Sequence, residues 1–343
     1  MTTKDIPVSF SIIPGRSVSD NIEDYREIIM ESALNLSFEE IIIDMVKKNF
    51  LEGCQYMMPL LETIQINSIQ VNLDISSQFS STLASYCSGK SDAVAGKYVF
   101  KASSSLIGDY LLNSIVPEIP LNPKSSLVWQ HELIHMMDHS NISEPNYKNG
   151  RPDMTEVLVH LILSFRIEGV AELIYFMTNY SKYRSIKAAR TLFLKKIRLY
   201  RNLPWEKPQF AKNARGMASG DRDVYTIGAW MVLHVLGCEA YGHKIDEAVQ
   251  VTLKIKKRQE MTYDEMINII RHALEMDNYS FIECLTKPGP DGKPFVRYED
   301  LYDLAKAVER AKTLLDGSWI NPAVLSGDPN IIRLFRLMRP KPD

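Results

Sequence analysis

Cysteine is scarce in this chain: Cys54, Cys87, Cys238 and Cys284 are the whole complement in 343 residues, and no two form a Cys-x-x-Cys pair. Spacing that wide excludes a cysteine-built metal knuckle and a disulfide framework, and implies free thiols in a reducing compartment. Charge imbalance is also missing. Forty Lys and Arg stand against 42 Asp and Glu, a net charge of −2, which gives no reason to expect nucleic acid or an anionic membrane as the main partner. The most apolar run, residues 157–176, is interrupted by His160, Arg166, Glu168 and Glu172. Hydrocarbon would make those side chains costly, so the run reads as a buried helix and no membrane span is expected. The opening residues hold no apolar stretch long enough for a signal peptide, so a cytoplasmic location is expected. No internal repeat is visible.

What is present is an ordinary globular composition, 45% hydrophobic and 24% charged. Helical periodicity runs from about Asp20 to Phe50, divided by the capping-box signature Ser37-Phe-Glu-Glu40. A further short helix is expected over Cys54 to Thr63. Ser68 to Ile75 then alternates polar and apolar with period two, as a half-buried strand does. Lys97 to Lys101 is a second strand candidate, and the Ser-rich segment Gln78 to Cys87 between them reads as helical. A helix is expected from about Lys124, after Asn122-Pro123. Asp153-Met-Thr-Glu156 caps a long apolar helix reaching about Tyr180. A strongly basic helix follows over Ser181 to Arg201, where a solvated face is the plain reading and a surface for an acidic substrate or partner the sharper one. Residues 203–224 lack periodicity, and a loop that long inside a compact region is often functional. Apolar Tyr225 to Tyr241, a capped helix from Thr262 to about Met276, the turn-rich stretch Lys287 to Pro294 and a helix over Tyr298 to Leu315 complete the pattern. The chain divides on this basis into a helical region (1–64), a core (65–245) and a C-terminal helical region (246–343).

Within that pattern one stretch carries recognisable chemistry: His131-Glu132-Leu-Ile-His135. Histidines four apart lie on one helical face, one turn above the other, so their ring nitrogens can converge on one metal while the intervening glutamate reaches toward a water. A catalytic zinc takes three protein ligands and keeps one position open. His139 is the nearest third candidate, but on a continuous helix it lies ~12 Å along the axis from His131, too far to share an ion. The metzincin arrangement, with a glycine turn and a histidine ten residues after the first, is not matched because position 141 is Asn. Glu168, in Arg166-Ile-Glu-Gly-Val-Ala-Glu172, is the better choice. Carboxylates in so apolar a helix need a partner, and the adjacent Gly and Ala would let that helix approach the motif helix closely.

These two motifs together resemble the gluzincin metallopeptidases, in which His-Glu-x-x-His is completed by a glutamate from a later Glu-Gly-x-Ala-Glu helix. The resemblance covers roughly residues 95–245. It implies an α+β, predominantly helical fold: a zincin-like core with a small sheet before the motif helix and a helical C-terminal lobe. It further implies one catalytic Zn2+ on His131, His135 and Glu168, with Glu172 orienting a ligand histidine. Glu132 would be the general base, and a later Tyr or His would stabilise the oxyanion. Tyr225, at the junction of the long loop and the next helix, is the first candidate for that donor; His234 and His243 are weaker ones. The Gly-x-Met-Glu-Asn motif of aminopeptidases is absent. The expected activity is zinc-dependent hydrolysis of a peptide or protein substrate. Lys97 to Lys101 is expected to serve as an edge strand for an extended peptide. The alternative is a catalytically silent zincin-fold protein that acts as a binding or regulatory module.

Overall fold

A computed structural model describes residues 6–13, 18–32, 36–76, 83–88, 90–138, 147–148, 151–152, 154–179, 185–201, 222–242, 245–297 and 299–301. The expectations for His139, His243, most of the loop 203–224 and most of the helix 298–315 lie outside these residues. The chain is α+β and mostly helical. It separates into two compact units, Met1–His139 and Ser140–Asp343.

The first unit contains β1 (Val8–Ile12), α1 (Asp20–Glu23), α2 (Arg26–Ser32), α3 (Phe38–Tyr56), α4 (Met58–Leu61), β2 (Ser68–Leu73), β3 (Ala84–Tyr86), α5 (Lys90–Val94), β4 (Lys97–Ala102), α6 (Ser104–Ile115) and α7 (Pro123–Met137). The capping box at Ser37 forms as its sequence predicts: the Ser37 side chain accepts from the Glu40 N–H, and Glu40 reaches back to the Ser37 N–H. Four strands make one sheet in the order β1-β2-β4-β3. The first three are parallel, and β3 pairs with β4 antiparallel.

Alternation in β2 and β4 sends Ile69, Val71, Leu73, Tyr98, Phe100 and Ala102 to the buried side. The core beneath is aromatic and set edge to face. Phe50 of α3 lies 5.4 Å from Phe100 and 5.1 Å from Trp129 of α7, centroid to centroid, the geometry that ring quadrupoles favour. At this contact Gly53 brings α3 against α7: a Cβ at position 53 would stand 2.9 Å from the Trp129 Cβ.

Two sequence expectations are corrected here. Lys97 to Ala102 is a strand, but an interior one between β2 and β3, so it offers no open edge. Among the described residues the sheet ends at β1 on one side and at β3 on the other, and β3 lies inside a segment whose serine content suggests helix. Its three residues are strand because they pair with β4, a non-local choice that overrides local preference.

The second unit contains β5 (Tyr147–Lys148), β6 (Arg151–Pro152), α8 (Met154–Thr178), α9 (Ile186–Arg201), α10 (Arg222–Leu236), α11 (Ile245–Lys257), α12 (Tyr263–Leu274) and α13 (Asn278–Cys284). The Thr262 capping box forms, with Glu265 at its third position. Described side chains of α8 are buried on nearly all sides between Ile162 and Met177, as a helix apolar around its circumference must be. Its principal neighbour is α10, and the two touch through glycines. A Cβ on Gly169 would lie 2.2 Å from the Gly228 carbonyl carbon, and one on Gly228 would lie 2.1 Å from the Phe165 carbonyl oxygen. No side chain larger than hydrogen fits at either place without moving a backbone. Gly169 therefore does serve a close helix approach, and the helix it admits at this contact is α10. Among the described residues, no helix is long and apolar enough to cross a membrane.

Candidate metal centre

Asn122 caps α7, its side chain accepting from the Lys124 N–H, with Pro123 in the first turn. The helix runs without interruption through Met137 and ends at Asp138, which is buried. Its core-facing positions include Trp129, Leu133, Ile134 and Met137. His131 and His135, both half-buried, share a different face. Their Nε2 atoms are 3.1 Å apart and their rings are nearly perpendicular, at 80°. Nitrogens that share one metal at ~2.0–2.1 Å bonds stand about 3 Å apart, so the imidazole pair has the spacing a single ion requires.

Among the described residues, His131, His135 and Glu168 form the one group of three His, Cys, Asp or Glu side chains whose ligand atoms lie within 4.8 Å of one another. This group could hold a metal ion. Two imidazoles and a carboxylate are a donor set suited to zinc and other borderline divalent metals, and they leave coordination positions for exogenous ligands. The chemistry and spacing of the residues therefore fit a metal.

Glu132 lies between the two histidines in sequence and is only 7% exposed. Its Oε2 accepts the backbone N–H of Tyr86, on β3, at 2.7 Å. Sequence reasoning missed Tyr86. The contact spans 46 residues and uses a main-chain group, so no side-chain pattern announces it.

Glu172 is buried one helical turn beyond Glu168. The Tyr175 hydroxyl has its pKa raised by burial, with the Glu172 charge adding to the effect. Tyr225 is half-buried in the first turn of α10, three residues before Gly228. Residues three apart share a helix face, so Tyr225 enters on the same side of α10 as the glycine contact with α8.

His234, the weaker alternative to Tyr225, is fully buried at the far end of α10. Its Nε2 lies 3.2 Å from the Cys284 carbonyl and 3.0 Å from the Lys287 carbonyl. Both partners are acceptors, so Nε2 carries the proton and donates. Gly289 covers the ring, where a Cβ would stand 2.3 Å from Nδ1. Burial, with help from the Arg190 charge, lowers the pKa of His234 to about 4. It is a structural histidine held neutral.

Because the folded-state pKa is depressed, the unfolded chain binds the proton first. The stabilisation is complete above the ordinary histidine value of about 6.5. It declines as pH falls from there to about 4. The loss over that window is about 3 kcal/mol. Urea unfolding measured from pH 7 to 4.5 should show it, and His234→Gln should flatten the dependence. An equal slope in both proteins would exclude His234 as its source.

No protein family, curated protein or solved structure matches this chain.

Proposed function

We propose that the protein is a zinc-dependent peptidase of gluzincin type, with a zincin-like core. The observation that carries this reading is the convergence of His131, His135 and Glu168 around a His-Glu-x-x-His helix whose glutamate is buried beside the sheet edge. His131, His135 and Glu168 would hold the ion, and Glu172 would orient a ligand histidine. When bound, zinc supplies Lewis acidity to a water and to the scissile carbonyl.

The remaining chemistry belongs to the chain. Glu132 takes the proton of the attacking water and delivers it to the departing amine. The Tyr225 hydroxyl donates a hydrogen bond to the developing oxyanion. The sheet order, which ends at β3, supports an extended polypeptide as substrate. In β3 the Leu83 carbonyl accepts from Ser103, and the Cys87 N–H donates to Val99. The intervening Ala84 then turns both its main-chain groups away from β4, and Tyr86 its carbonyl, as antiparallel pairing requires, while the Tyr86 N–H is held by Glu132. Main-chain groups on such an edge can take up an added strand.

Metal analysis of protein purified without chelator, joined to cleavage profiling on a mixed peptide library, tests the reading. The expected result is about one zinc per chain and cleavage that chelator abolishes and added zinc restores. Glu168→Ala should weaken zinc binding by more than the about 10–100-fold typical of losing an outer partner of a ligand. Full zinc occupancy without turnover of any peptide would overturn the peptidase assignment in favour of a binding module.

A further inference from the structure

We propose that the backbone N–H of Tyr86 is the positioning group for Glu132, fixing the carboxylate of the general base from the sheet edge. The inference rests on the peptidase reading above. A buried carboxylate oxygen must be supplied with donors. Glu132 is 7% exposed. The Tyr86 N–H reaches its Oε2 at 2.7 Å, a short hydrogen bond.

The register explains why this amide is available. Ser103 donates to the Leu83 carbonyl at 2.9 Å, and Cys87 donates to the Val99 carbonyl at 2.8 Å. The odd positions of β3 thus serve the ladder, and Tyr86 points its N–H outward. The bond to Glu132 uses a donor that the sheet does not need.

The donor is also held still. The Tyr86 ring packs 5.5 Å from Phe100 and 6.4 Å from Tyr98, centroid to centroid. Two residues on, the Ser88 hydroxyl accepts from the Val99 N–H at 2.6 Å. Phe100 in turn contacts Trp129 of α7, one helical turn before Glu132. A closed circuit results: β3 on β4, β4 on α7, and α7 back to β3 through Glu132. Fixing one oxygen to this circuit sets the plane of the carboxylate before substrate arrives. Misplacement of a catalytic group by about 1 Å can cost about 100-fold in rate, so the device acts on turnover rather than on affinity.

Tyr86→Pro removes the amide hydrogen and keeps the strand, since proline is accepted on an edge strand where its nitrogen faces outward. Tyr86→Ala, which removes the same ring but keeps the amide hydrogen, is the control. With both variants loaded with zinc, Tyr86→Pro is expected to lower kcat by about 10–100-fold relative to the control, with KM and zinc content matching it. A kcat within two-fold of the control would overturn the proposal. If Tyr86→Pro does not fold, hydrogen exchange at the Tyr86 amide carries the test instead.

Hydrogen exchange at the Tyr86 amide supplies a readout that does not depend on turnover. Protection should persist in Glu132→Gln, whose carbonyl still accepts, and fall at least ten-fold in Glu132→Ala. Exchange indifferent to Glu132→Ala would refute the bond itself. Exchange that responds, in a zinc-loaded protein that cleaves nothing, would overturn the positioning role and reduce the contact to a structural tie. Failure of the inference and failure of the peptidase reading thus give different signatures.

Discussion

Glu132→Gln is expected to lower kcat for peptide hydrolysis by about 10²–10⁴-fold, the range that general acid–base groups contribute, while leaving zinc content and unfolding midpoint unchanged. The substitution is nearly isosteric and keeps an oxygen that can accept the Tyr86 N–H, so the tie between α7 and β3 survives. What it removes is basicity. An amide cannot take a proton from water near neutral pH, and it has none to pass to the leaving amine. Glu132→Ala loses both the proposed base and the acceptor of the Tyr86 N–H, and should add a stability defect to the loss of turnover. Steady-state kinetics, metal analysis and thermal melts on the two variants separate these effects. A Glu132→Gln protein that kept a tenth or more of its kcat would place the proton acceptor elsewhere.

The second large effect is expected at the crossing of α8 and α10. Gly169→Ala should destabilise the protein by roughly 2–4 kcal/mol. Two terms compete. Alanine is the better helix former, by about 1 kcal/mol. Against that, its methyl would stand 2.2 Å from the Gly228 carbonyl carbon, and a clash with backbone cannot be relieved by a rotamer change. The helices must separate, and a packed interface loses contact on both sides of the gap. Overpacking therefore exceeds the propensity gain. Gly228→Ala meets the Phe165 carbonyl oxygen at 2.1 Å and should behave alike. The double variant should cost less than the sum, because one separation serves both methyls. Urea denaturation of the three proteins gives the answer; single variants within 0.5 kcal/mol of the parent would mean that the helices are not so closely packed. Since Glu168 precedes Gly169 on α8, metal affinity measured on the same samples reports whether the proposed ligand moves with its helix.

Residues that declare themselves locally were legible in the sequence. The alternation from Ser68 gives β2 because one face of that strand is buried and the other is not. Ser37 and Thr262 announced their helices because a capping box is complete within four residues. Glu168 could be nominated because a carboxylate in an apolar helix needs a partner, and its ligand atom does lie with those of His131 and His135. Choices made by distant partners were not legible. β3 is only three residues long, and its partners Phe100, Lys101 and Ala102 decide that it is a strand. Gly169 promised a close helix approach without naming the helix; Gly228, 59 positions later, does. His234 could be weighed as an oxyanion donor only while the carbonyls of Cys284 and Lys287 were unknown. The amphipathic helices α11 and α13 lack a complete capping box and did not stand out from their surroundings.

The parallel pairing of β1 with β2 carries a consequence for synthesis on the ribosome. Ser11 and Asn72 are paired neighbours in the sheet and lie 61 residues apart. At about 5–20 residues per second, β1 waits some ~3–12 s after its own translation before its partner has been made. Throughout that interval Val8 to Ile12 is a short unpaired strand with Val8, Phe10 and Ile12 on one side, the kind of segment that chaperones bind and that stray chains can capture. Slowing translation across residues 13–67 should lower the soluble yield, whereas slowing it after residue 102 should not, because by then every strand of the sheet has been synthesised.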